Sequence, residues 1–180
     1  VHPYKIIGLV FGVIAALFGG FMLIGLLLPG GWRAERTTDI AAPPEVLFGY
    51  FSGAGRWVEW TPTPESGSVA FGPAEGPGSG RRWNDPTYGS GEFVITSTEP
   101  PRLVGYEVRV EDGAIRIIGR VELEPTTSGT RLTWREEGDF GWNPLLGYMA
   151  GRMDELQGAQ MDAALASLRR VAEAAVRPQP

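Results

Sequence analysis

Glu136, in the run Leu132-Thr-Trp-Arg-Glu-Glu137, is the side chain of this sequence best placed to do acid–base chemistry. In an alternating strand it shares a face with Leu132 and Trp134, so it points toward an apolar interior, where burial raises the pKa of a carboxyl group. The same position suits a sheet-end glutamate paired with an arginine, so no catalytic residue is assigned and no convincing catalytic set is present, with Glu136 the one candidate. Its neighbours Glu137, Glu122 and Glu124 alternate outward with Arg135 and Arg120 and read as surface charge. Tyr106 and Trp134 combine a large apolar body with one polar tip, and their mid-strand positions suit either core packing or contact with a ligand. Gln157 and Gln160 fall inside the apolar stripe of a helical segment, where two amides need partners from each other, a backbone carbonyl, water or a ligand.

Other chemistries are closed by composition. The chain has no cysteine, and its one histidine, His2, precedes a long apolar run, so thiolate chemistry, a serine–histidine or cysteine–histidine pair and a zinc site all lack their residues. The Gly72 to Gly80 loop has neither the strand–loop–helix setting nor the lysine of a phosphate cradle, and Arg81, Arg82, Arg116 and Arg120 read as solvated strand ends. No cofactor or metal is expected. A net charge of −5 argues against nucleic acid as a partner. A single lysine among many arginines, with 26 glycines and 15 prolines, suggests a GC-rich bacterial source.

The elements that must hold these residues divide at about residue 32. Ile6 to Leu28 is an uncharged apolar run that as a helix spans roughly 34 Å, against a bilayer core of about 30 Å. A signal peptide has a shorter apolar region, of about 7 to 15 residues, and Pro29-Gly-Gly-Trp-Arg33 resembles the interfacial end of a retained anchor. Residues 1–32 are therefore expected to form a tail and a single-pass membrane anchor, with residues 33–180 as one domain on the extracytoplasmic side. Arg33 to Ile40 alternates as a strand, Pro44 opens a short helix ending near Gly53, and Arg56 to Trp60 makes a second helical turn whose tryptophans suit packing under the helices. Six more strands follow, Ser68 to Phe71, Gly80 to Asn84, Gly91 to Thr98, Leu103 to Val110, Ala114 to Glu124 and Thr130 to Gly138, punctuated by turns such as Asp112-Gly113. Gly151 to Val176 then switches to a 3.6-residue period, one long amphipathic helix.

This α+β order, with the segments Ile40-Ala-Ala-Pro-Pro-Glu-Val-Leu-Phe48, Arg56-Trp-Val-Glu-Trp60, Gly78-Ser-Gly-Arg-Arg-Trp83, Glu99-Pro-Pro-Arg-Leu-Val104 and Gly129-Thr-Arg-Leu-Thr-Trp134, resembles the SRPBCC superfamily, the START-like or polyketide cyclase/dehydrase-like proteins. The resemblance spans Arg36 to Val176 and implies a helix-grip fold, a curved antiparallel sheet of about seven strands wrapped on the long C-terminal helix around an apolar cavity. Alternate strand positions and one helix face then line that cavity: Val104, Tyr106, Val108, Ile117, Val121, Leu132, Trp134, Met153, Gln157 and Gln160. The fold family hosts carriers, aromatic cyclases and chaperone co-factors, so fold alone does not choose among them. The expectation is a membrane-tethered carrier or sensor for an apolar small molecule such as a lipid or isoprenoid. The alternatives are a polyketide cyclase/dehydrase-like enzyme using Glu136, Tyr106 or a glutamine, and a protein-interaction module with an exposed apolar patch.

Overall fold

The computed structural model describes residues 3–62, 68–86 and 89–177. A helix α1 (Pro3–Leu27) leads into strand β1 (Gly31–Ile40), helix α2 (Pro44–Phe51) and a 3-10 turn (Ala54–Glu59). Six strands follow, β2 (Val69–Phe71), β3 (Gly80–Asp85), β4 (Gly89–Glu99), β5 (Leu103–Val110), β6 (Ile115–Thr126) and β7 (Gly129–Asp139), and the chain closes with α3 (Leu146–Ala150) and α4 (Met153–Val176). All pairings are antiparallel in one seven-stranded sheet, ordered β1-β7-β6-β5-β4-β3-β2. The expected helix-grip α+β fold is the one found.

Alternation decides which residues reach the interior. Along β7, Thr130, Leu132, Trp134 and Glu136 are buried while the residues between them turn outward. The outward faces carry a charge ladder in which Arg33 and Arg135 both bond Glu35, and Arg109 and Arg116 clasp Glu107. Pro44 stands at the first turn of α2, where its missing N–H costs nothing, and Leu47, Tyr50 and Phe51 are the buried residues of that helix.

α4 packs along β1 and is clasped there by Arg36, which faces inward. The Arg36 guanidinium reaches Asp154 at 2.9 Å, Asp162 at 3.1 Å and the Asp154 carbonyl at 2.9 Å, so one side chain ties two turns of the helix to the sheet. Gly158 makes the approach possible, since a Cβ there would overlap the guanidinium. A second bare position does similar service in the sheet. Gly119 of β6 lies between Tyr106 of β5 and Glu136 of β7 in register, and the Tyr106 ring lies across it, over the space a Cβ would fill.

Strand ends shift by one or two residues from the sequence reading, and three differences bear on the architecture. β1 begins at Gly31, because its pairing with β7 continues to Gly31 and Asp139. The helical turn covers Ala54–Glu59 rather than Arg56 to Trp60. The single helix expected from Gly151 is preceded by the separate α3, and the two are broken at Gly151 and Arg152. The break lets α3 dock on the last turns of α1. Tyr148 stacks on Phe21 with ring centres 4.5 Å apart, its hydroxyl donates to the Phe21 carbonyl at 2.8 Å, and Gly147 and Gly25 bring the backbones together. Ile7–Leu27 of α1 is long and apolar enough to cross a membrane, and apart from the Phe21 contact its large side chains are mostly exposed.

Gly119→Ala is expected to destabilise the fold by about 1–3 kcal/mol, because the Tyr106 ring has no rotamer-neutral retreat from the added methyl. Chemical unfolding of the full chain in a mild detergent measures this, and an unchanged midpoint would show that the ring is free to slide aside.

Candidate functional site

An apolar cavity of about 250 Å³ lies between the inner face of the sheet and the first half of α4. Trp57, from the 3-10 turn, forms its floor at the centre of an aromatic cluster. Its ring centre lies 4.8 Å from those of Trp60, Phe93 and Tyr106 and 5.9 Å from that of Trp134. The indole N–H of Trp57 donates to the Phe51 carbonyl at 3.0 Å, and that of Trp60 to the Tyr50 carbonyl at 3.4 Å, which anchors the turn against α2. Above this floor, Val108 and Ile117 face each other across the β5–β6 pairing, and Gln157, Gln160, Met161 and Ala164 supply the helical wall.

Of the ten residues expected to line the cavity, Tyr106, Val108, Ile117, Trp134, Gln157 and Gln160 stand on its wall. Val104, Val121 and Leu132 do not. They face the same side of the sheet but lie fully buried in the closed core farther along it, the region where α2 packs on β5 and β6. Met153 is also off the wall, half-buried at the start of α4 against the core. Trp57, expected as core packing, is both buried core and cavity floor.

Glu136 is 5% exposed and sits at the head of a hydrogen-bonded chain. One carboxylate oxygen accepts from the Tyr106 hydroxyl, the other accepts from Gln157 Nε2 at 2.6 Å, and the Tyr106 oxygen accepts from Trp134 Nε1 at 2.6 Å. Gln157 thereby finds the partner that its inward position demands. Burial pushes the Glu136 carboxyl above its ordinary value, opposed by the donors from Tyr106 and Gln157. Burial, with the Glu136 charge second, pushes Tyr106 well above the ordinary phenol range, so its proton stays on the hydroxyl. The chain thus holds one proton acceptor on the wall of an apolar cavity, with donors already aimed at both of its oxygens. Among the described residues no three histidine, aspartate or glutamate side chains come together as a metal site requires.

One residue overturns the sequence reading outright. Arg81 is not a solvated strand end: it is 8% exposed and on the cavity wall, because it pairs with the inward-facing Phe93 of β4. Desolvation alone lowers its pKa to about 10. The signal was available in the alternation of Arg81 with Trp83, an aromatic that belongs inside. Arg82, Arg116 and Arg120 do face outward.

A model of the family described as polyketide cyclase/dehydrase and lipid transport matches residues 31–173. Among solved structures, a protein from Chromobacterium violaceum aligns with a TM-score of 0.55 and 21% identity, over 81% of this chain and 99% of that one. One from Rhizobium leguminosarum aligns with a TM-score of 0.58 and 17% identity, over 79% and 95%. The di-domain ARO/CYC StfQ of the steffimycin biosynthetic pathway gives 0.61 and 15%, over 79% of this chain and 51% of that one. At these identities the likeness is one of fold. A search of curated proteins gives no match.

The raised Glu136 pKa fixes the sign of a pH effect. The folded state holds this proton to higher pH than the unfolded chain does. The contribution of Glu136 to stability is therefore greatest below the unfolded value, about 4.3, and is lost as pH rises through the folded value. The unfolding free energy of the wild type minus that of Glu136→Gln should fall as pH rises above about 4.3. A flat difference would place the carboxylate in contact with water.

Proposed function

The chain belongs to the polyketide cyclase/dehydrase and lipid transport family, and on that premise we propose that it is a membrane-tethered binding protein, a carrier or sensor, for an apolar small molecule held in the cavity. The observation that carries this reading is the state of Glu136, the only carboxylate on the wall among the described residues. Both Glu136 oxygens are taken up by Tyr106 and Gln157, so this carboxylate is satisfied within the wall and the aromatic and aliphatic surface around it is left for a ligand. Burying apolar surface there stabilises a complex by about 25 cal/mol per Å² removed from water. The volume, about 250 Å³, is just below the usual range of roughly 300–1,000 Å³ for ligand pockets, which suits a small molecule or one inserted chain of a larger one.

The tether rests on α1 and on register. Val108 pairs with Ile117, Ile117 with Gly138, and Gly138 with Trp32, one residue beyond the start of β1. The cavity therefore occupies the end of the sheet from which α1 departs. With Ile7–Leu27 in a bilayer, that end faces the membrane, where apolar ligands are concentrated.

A second reading, a cyclase or dehydratase working in the same cavity, draws on the Tyr106–Glu136 pair, a phenol hydrogen-bonded to a carboxyl of raised pKa. The two readings separate on binding. In a carrier, Tyr106→Phe and Glu136→Gln keep affinity within tenfold of wild type and there is no turnover to lose, whereas in an enzyme they abolish turnover while binding persists.

The direct test is native mass spectrometry of the full chain released from lipid nanodiscs. An apolar molecule should co-purify at near-stoichiometric amount with the wild type and be lost from Ile117→Trp, which fills the cavity. A wild type that emerges empty would sink the carrier reading.

A further inference from the structure

The orphaned polar atoms of the cavity wall are both donors. Arg81 Nε is buried with no hydrogen-bond partner, and so is Trp83 Nε1 on the next inward position of the same strand. The Arg81 guanidinium lies over aromatic faces, 5.4 Å from the Phe93 ring centre and 5.9 Å from that of Trp83, and it forms no salt bridge among the described residues. The opposite case stands on the same wall, where the acceptor Glu136 has its donors in place.

A buried guanidinium without a counter-charge is expensive, and replacing such a group by an apolar one of like shape is generally neutral or stabilising. A planar fork of N–H donors matches a carboxylate, which takes two parallel hydrogen bonds from it. From these observations, and resting on the apolar-ligand reading above, we infer that Arg81, with Trp83 beside it, is the head-group site for a monocarboxylate whose apolar body lies against Trp57, Phe93 and Ile117. A single guanidinium, with Glu136 elsewhere on the wall, sets the ligand charge at one negative rather than two.

The test compares two probes that differ only in the head, 8-bromooctanoate and 8-bromo-1-octanol, read by bromine quenching of tryptophan fluorescence in the full chain held in nanodiscs. The wild type should half-saturate with the carboxylate at a concentration at least tenfold below that for the alcohol. Arg81→Met should bring the carboxylate down to the alcohol's affinity, leave the alcohol's affinity unchanged, and raise the melting temperature. Should that variant misfold, Arg81→Lys keeps the charge without the fork and should retain a reduced preference for the carboxylate. Equal affinities for the two probes in the wild type, or an equal loss of both in Arg81→Met, would overturn the head-group site while leaving apolar binding intact. Quenching by neither probe would remove the apolar-ligand reading, and the head-group site with it.

Discussion

A carboxylate taken out of water must be met by donors, and the architecture around Glu136 is arranged to meet it from two directions. One donor crosses the sheet, because Tyr106 passes over the bare backbone of Gly119 to reach a residue two strands away. The other comes down from the helix through Gln157. That second donor arrives only because α4 is set at the right height and rotation on β1, which Arg36 achieves by gripping Asp154 and Asp162 on either side of Gly158. Two glycines and one arginine thus place the phenol, the amide and the carboxylate on one wall.

The cavity exists because the inner face is unevenly filled. At the α2 end, Val104, Val121, Leu123 and Leu132 close against the helix and leave no space. At the other end the filling passes to rigid rings, Trp57, Phe93, Tyr106 and Trp134, which stack edge to face and tilted rather than collapsing into the gap. Opposite them α4 contributes two amides, one alanine and a single bulky apolar side chain, Gln157, Gln160, Ala164 and Met161, so the helix leaves part of the space unfilled. The same unevenness leaves two buried donors on β3, Arg81 Nε and Trp83 Nε1, without a hydrogen-bond partner among the described residues.

Much of this was legible in the sequence, and the failures have a common physical root. A two-residue period sorts strand residues by face and puts Glu136, Tyr106, Trp134, Val108 and Ile117 on the inside, where they lie. The period carries no information on depth along the strand, so it does not separate the cavity wall from the closed core to which Val104, Val121 and Leu132 belong. Depth depends on where α2 lands, a tertiary fact. At Arg81 charge and alternation conflict, and alternation with Trp83 two residues on decides, so the guanidinium lies inside. The break between α3 and α4 answers to docking against α1, a contact between residues more than a hundred positions apart, and no local pattern announces it.

The junction between α1 and the sheet is stiff. Residues 28–30 alone separate the helix from β1, and α3 braces the joint with the stacked Phe21 and Tyr148 rings and the glycine-to-glycine contact at Gly25 and Gly147. A domain on a long flexible linker samples every direction and meets its ligand by chance. Here the domain is a lever rigidly attached to its axle, so whatever sets the axis of α1 also sets the bearing of the cavity, and encounter becomes a matter of aim.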